Sequence, residues 1–314
     1  MTASSNSAGS NVARSIRIRF QSFAKTFYFY TRSPIATIGL TVVLFYVLVA
    51  IFGPIVLGGN PWKMTQFLSF HGQYIYNVPQ PPSRYFPFGT TFEGYDIFNG
   101  VVKAARIDLM VAAIVVLSGA VIGTFLGSIA GYKGGLTGEV IMRVTDIFLS
   151  IPSLVLAIAF LVIFSRTLNV MVLALIVIWW PTYTRIVRGQ VLSVRELKYV
   201  EASVAAGSSS VRTILRHIIP NSIYPIFVQV SLDFGNVILT MAALFFLGVG
   251  FAGYWTPEWG NIISIATTFS SGIPAITHYW WTVVIPALAI LILVVSLNLM
   301  GDGLRDVTDP RLRR

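Results

Sequence analysis

The chain contains no cysteine among its 314 residues, which excludes disulfide bonds and thiolate metal sites. Histidine is scarce as well. Only His71, His217 and His278 occur, and neither their spacing nor their neighbours supply a ligand set for a metal ion. Asp, Glu, Lys and Arg make up 11% of the residues, against roughly 25% in soluble domains. With 55% hydrophobic residues and a mean hydropathy of +0.76, a water-soluble fold is excluded. The nucleophile elbow, the zinc-protease helix signature and the phosphate-binding loop are all missing, so no hydrolytic or nucleotide chemistry is indicated in this chain.

Long apolar runs are what the sequence does have. A bilayer-spanning helix needs about 20 mainly apolar residues, and six such runs occur, over residues 35–57, 107–132, 140–164, 169–183, 223–250 and 280–300. The fourth is short unless it continues towards Val191, past Arg185 and Arg188. The runs are continuously apolar rather than alternating as in a transmembrane β-barrel. An all-α membrane protein with six transmembrane helices is therefore expected. It divides into a tail over 1–34, a first span over 35–57, an external loop over 58–106, a core over 107–301 and a tail over 302–314.

Seventeen of the 22 Lys and Arg residues fall in the two tails, the turn between the second and third runs, and the loop between the fourth and fifth. Positive loops stay in the cytoplasm, so both termini are expected there, in a multi-pass protein of the cell (plasma or inner) membrane. The net charge of +10 is spread over the loops of one face. Topology and contact with anionic lipid headgroups account for it, and nucleic acid is not indicated. The first 33 residues are polar and basic and precede a full-length span, the pattern of an uncleaved anchor rather than a signal peptide.

Several local features stand out. Gly119, Gly123, Gly127 and Gly131 form one stripe that lets another backbone approach closely, within the chain or from a second subunit. The external segment 58–106 carries Pro61, Pro79, Pro81, Pro82 and Pro87 among several aromatics and is expected to be an ordered cap. Segment 251–278, with Trp255, Pro257, Trp259 and Gly260, is expected to hold a re-entrant or interfacial helix. Asp108 and Asp146 sit near the expected helix ends, within reach of Arg106 and Arg143, and have a structural reading. Asp233 lies deeper, and either an interhelical hydrogen bond or a place on a translocation route accounts for it.

Between the fourth and fifth runs lies Arg195-Glu-Leu-Lys-Tyr-Val-Glu201-Ala202-Ser203-Val-Ala-Ala-Gly207, followed by Arg216-His217-Ile218-Ile219-Pro220-Asn221. On its residues alone this is a short Ala- and Glu-rich cytoplasmic helix ended by a glycine. A docking helix fits it, and a plain solvated helix is the alternative for Glu201.

The segment resembles the E-A-A…G…L-P loop of ABC-importer permeases, in which a short coupling helix inserts into the ATPase subunit. Trp180, Tyr183, Arg185, Arg188 and Gly189 also match in order, while Ser203 and Ile219 depart conservatively from the pattern. The resemblance extends to the C-type subunit of the dipeptide/oligopeptide branch. It is carried by Ser33-Pro34, Pro87-Phe88-Gly89-Thr90, Gly94-Tyr95-Asp96-Ile97-Phe98, Asp146-Ile147-Phe148, Ile151-Pro152-Ser153, Phe246-Leu247-Gly248-Val249-Gly250, Pro257-Glu258-Trp259-Gly260-Asn261, Gly301-Asp302-Gly303-Leu304-Arg305-Asp306 and Asp309-Pro310. Thr91, Tyr95 and Met241 depart from it.

The resemblance implies the type I ABC importer permease fold, with a coupling helix over about 195–210 and an external cap. It implies that Glu201, Ala202, Ser203, Gly207, Pro220 and Arg188 serve ATPase coupling. The implied partners are a homologous second permease, two ABC ATPase subunits that bind ATP and Mg, and an extracytoplasmic solute-binding protein; this chain itself would hold no cofactor and hydrolyse nothing. Peptides are the implied cargo, and the same branch includes oligosaccharide and nickel importers. The substrate-binding residues are not identified by it. An ATP-independent transporter or channel is disfavoured, because the runs contain few charges and no inverted repeat.

Overall fold

The computed structural model of the chain describes residues 30–67, 69–70, 73–74, 78–251, 253, 255–269 and 277–308. Most of the N-terminal tail, the last six residues, His71 and residues 270–276 of the last external segment lie outside the described residues. Among the described residues, five helices are long and apolar enough to cross a bilayer, and a bent helix pair makes a sixth.

The first helix, α1 (Pro34–Leu57), starts where Pro34 needs no hydrogen-bond partner for its nitrogen. The Ser33 side chain accepts from the Ala36 N–H at 3.4 Å, and Gly58 closes the helix at φ 65°. It is apolar all round and turns Phe45, Leu48, Phe52 and Ile55 outward, as a lipid-facing helix does.

The next helix, α2 (Ile97–Lys133), is 37 residues long and begins well before residue 107. The expected external loop over 58–106 therefore ends earlier, and residues 97–106 belong to the helix. Asp96 sets the start, its Oδ1 accepting from the Phe98 N–H at 3.0 Å. Asn99, Lys103 and Arg106 make these first turns polar, which conceals them from a search for apolar runs. Lys103 is nonetheless buried, its Nζ donating to the carbonyls of Asn60 and Lys63, each at 3.1 Å.

The run at 140–164 is not one straight span. It forms α3 (Gly135–Ser150) and α4 (Ser153–Phe164), bent by 88°. Ile151 precedes a proline and is held extended at φ −95°, ψ 129°, since the ring of Pro152 clashes with a helical preceding residue. The fourth run does continue past Arg185 and Arg188, forming α5 (Leu168–Val194).

Short elements follow: α6 (Lys198–Ala205), α7 (Ser210–Thr213), a π turn over Ile214–Ile218 and α8 (Ile219–Ser222). The chain then enters α9 (Tyr224–Phe246), which stops short of residue 250 because Leu247 leaves helical geometry and Gly248 turns at φ 73°. Further along, the described residues form α10 (Trp259–Phe269) and α11 (Trp281–Thr308).

Helix α2 lies at the centre, packed on α5, α1 and α9, while α11 lies against α1 and α9. Its contact with α5 is close because of the glycine stripe. A Cβ added at Gly127 would lie 2.6 Å from the Thr184 carbonyl oxygen, and one at Gly131 2.7 Å from Val191 Cγ1. Outside the bundle, strands β1 (Ser69–Phe70) and β2 (Gln73–Tyr74) pair antiparallel. Met64, Phe92, Tyr95, Ile262, Ile265 and Trp281 form a second buried apolar cluster that fastens the segment before α2 to α10 and α11.

Candidate functional site

Three features carry chemistry beyond packing. The first is the segment between α5 and α9. Its helix is α6, eight residues long, and not the whole of 195–210. Arg195 is the C-cap of α5 and donates from Nη1 to the Gly131 carbonyl at 3.0 Å, tying the root of the segment to the end of α2. Val200 is 2% exposed and anchors α6 from beneath. Glu201 and Ala202 are exposed, and Ser203 is half-buried.

Gly207 closes the turn at φ 81°, with its N–H on Val204 O at 2.9 Å and the Ser208 N–H on Ser203 O at 3.1 Å. That left-handed geometry favours glycine. The chain returns to the bundle through the π turn, and Pro220 sits exposed in α8, where it has no N–H to donate. Leu197, Tyr199, Val204, Val211 and Leu215 are all exposed on this segment. A cluster of exposed apolar side chains on a polar face marks a contact surface. Arg188 is elsewhere: it stands half-buried on α5, beside a cavity it shares with Arg143, Asp146 and Arg195, and its Nε has no hydrogen-bond partner.

The second feature is the break between α3 and α4. It opens a cavity of about 640 Å³ lined by Ser150, Ser153, Trp179, Thr182, Asp233, Asn236 and Thr240 with several apolar residues. Asp233 is 4% exposed. Its Oδ1 accepts from Gln229 Nε2 at 3.0 Å and from Asn236 Nδ2 at 3.3 Å, both on its own helix. The Trp179 and Tyr183 side chains of α5 face the carboxylate, but the Tyr183 hydroxyl and Asp233 Oδ2 do not meet hydrogen-bond geometry. Asp146 pairs with Arg185 across α3 and α5 rather than with Arg143, which lies 3.6 Å from Glu139. The i, i+4 spacing on one helix favours that second pairing.

The third feature is buried between α2 and α10. Asp108 is not near a helix end, because α2 starts at Ile97; it is fully buried against α10 and has no pairing with Arg106. Its Oδ2 accepts from the Trp259 N–H at 3.5 Å, and Glu258 Oε2 accepts from the Asn261 N–H at 2.6 Å. Both carboxylates thus sit at the first turn of α10, where unpaired N–H groups favour negative charge. Asp108 Oδ1 and Glu258 Oε1 are buried without a partner. Burial pushes the Glu258 carboxyl above the ordinary glutamate range. No sequence signal joins residues 108 and 258; only the fold brings them together.

Residues 123–314 match the model of the binding-protein-dependent transport system inner membrane component family. The dipeptide transport system permease protein of Alkalihalophilus pseudofirmus is 38% identical, over 90% of this chain and 88% of its own length. The oligopeptide transport system permease protein of Bacillus subtilis is 35% identical, over 89% and 87%. A chain of the MetNI methionine ABC transporter, solved in inward-facing conformations, superposes with a TM-score of 0.54 at 19% identity, covering 68% of this chain and 98% of its own; at that identity the likeness is one of fold.

Proposed function

Starting from the fact that this chain belongs to the binding-protein-dependent inner membrane component family, and so is a membrane permease subunit of an ABC importer, we propose that it forms half of a translocation path for peptides. The names of its relatives support the cargo: they are dipeptide and oligopeptide permeases. In this reading a homologous permease supplies the other half, and a solute-binding protein delivers the peptide from outside. Two ATPase subunits bind ATP and Mg and hydrolyse the nucleotide. Both termini lie on the ATPase side, in keeping with the loop charges.

The observation that carries the reading is α6. It is an exposed eight-residue helix, pinned from beneath by Val200 and by the Arg195 link to α2, and bounded by the left-handed Gly207. Glu201, Ala202, Ser203 and Gly207 form the part that docks on an ATPase. Pro220 fixes the return to α9, and Arg188 supports the docked segment from α5. Such docking shifts the permease between inward- and outward-open states only to the extent that the ATPase binds them unequally. Asp233 and the cavity at the α3–α4 break belong to the path.

The test replaces Glu201 with Arg and, separately, Gly207 with Leu in the reconstituted complex, and measures ATPase copurification and ATP-driven uptake of a dipeptide. Both variants are expected to lose uptake, the first through lost docking and the second through a strained turn. Wild-type assembly and uptake in both would overturn the coupling role of this segment. Uptake of an oligosaccharide or of nickel, with none of any peptide, would overturn the cargo.

A further inference from the structure

The cavity at the α3–α4 break is polar in a particular way. Ser150, Ser153, Thr182, Asn236 and Thr240 give it neutral hydrogen-bonding groups, while Asp233 is the one ionisable residue lining it. The two amides on its own helix occupy Oδ1 of that carboxylate; Oδ2 is buried, faced by the Tyr183 and Trp179 side chains of α5, neither of which completes a hydrogen bond to it. Among the described residues no basic side chain lines the cavity, and Arg185, the nearest arginine in sequence to the lining residue Thr182, is committed to Asp146. A buried carboxylate without a counter-charge is costly, and a cationic guest relieves that cost. Trp179 and Phe148 also line the cavity, and aromatic faces attract the same kind of guest.

We propose that Asp233 is a receptor for a cationic nitrogen on the cargo, a protonated amine of the kind a peptide's amino terminus carries, as it passes the α3–α4 break. The proposal rests on the reading of this cavity as part of the path. It gives the permease a chemical preference of its own, in addition to whatever the solute-binding protein selects.

The natural absence of cysteine permits a direct test in the full complex in proteoliposomes. With Thr240→Cys as the only cysteine in this chain, the labelling rates of a cationic trimethylammonium-ethyl and an anionic sulfonatoethyl methanethiosulfonate are compared at equal size. The cationic reagent is expected to react faster, and Asp233→Asn is expected to lower the ratio of the two rates at least tenfold, with Asp233→Glu restoring it. If neither reagent labels the Thr240→Cys variant, the cavity is not on a water-accessible path, and the underlying reading and the proposal fall together. If both label but the ratio ignores Asp233, the path stands and the proposal falls.

Uptake separates the sources of the cation. Alanyl-alanine offers only an amino-terminal ammonium, and N-acetyl-alanyl-lysine only a side-chain one. A tenfold loss of alanyl-alanine uptake in Asp233→Asn assigns the terminal amine, and a loss confined to the lysyl peptide assigns side chains. Unchanged uptake of both overturns the proposal.

Discussion

Substituting alanine along the glycine stripe of α2 produces effects that the geometry ranks in advance. At Gly123 an added Cβ would lie 2.7 Å from the Trp180 carbonyl oxygen and 2.8 Å from the Thr184 nitrogen, and closer still to Tyr183 Cβ. The backbone contact is about 0.7 Å short of ordinary contact near 3.4 Å, and the obstructing atoms belong to the α5 backbone, which cannot rotate away. At Gly119 the nearest atom, Trp179 Cβ, is 3.3 Å away and the nearest backbone atom 3.5 Å, so little has to move. Both changes gain about 1 kcal/mol of helix propensity, which cancels in the comparison. The difference between them isolates overpacking, about 1–3 kcal/mol. In a chain of this size that is a separation of a few degrees in the unfolding midpoint. Tryptophan fluorescence during heating of the purified chain in detergent measures it. Equal midpoints for Gly119→Ala and Gly123→Ala would refute the reasoning. A Gly123→Ala variant that unfolds normally alone but no longer retains its partner permease would move the stripe to the subunit interface.

Two other measurements check the charged groups. Because the folded value of Glu258 is raised, the folded state holds its proton at a pH where the unfolded chain has lost it, so this group favours folding at low pH and that benefit disappears as pH rises through the raised value. The unfolding midpoint is expected to fall from about pH 5 to about pH 8, and Glu258→Gln to flatten the curve; a wild-type slope in the variant counts against the assignment. The Asp146–Arg185 pair is half-exposed on both sides, so Asp146→Asn is expected to change stability by less than about 1 kcal/mol. A loss of several times that would show the pair is far better shielded than its exposure indicates.

Much of the bundle was legible because lipid imposes a single requirement, length of apolar chain, and α1, α9 and α11 satisfy it within a few residues at their outer ends. The end of α6 was legible through its turn chemistry, since Gly207 needs a left-handed backbone. The errors have physical causes of their own. Apolar composition cannot distinguish a straight span from the bent α3–α4 pair; the cue was Pro152 and its effect on Ile151. The first turns of α2 carry polar groups with partners in the segment before the helix: Lys103 donates to the Asn60 and Lys63 carbonyls, and Asn99 Oδ1 accepts from the Thr65 N–H. The meeting of Asp108 with α10 depends on how α2 is rotated, and no local pattern records that.

Helix α2 joins the two ends of the bundle. Its C-terminal end holds Arg195 through the Gly131 carbonyl, and its N-terminal half holds the first turn of α10 through Asp108. At 1.5 Å per residue its 37 residues make a rod of about 55 Å. A rod of that length works as a lever: a tilt of about 5° about one end carries the other about 5 Å. Through this one element a shift at the root of the segment after α5 is geometrically tied to a shift at the first turn of α10.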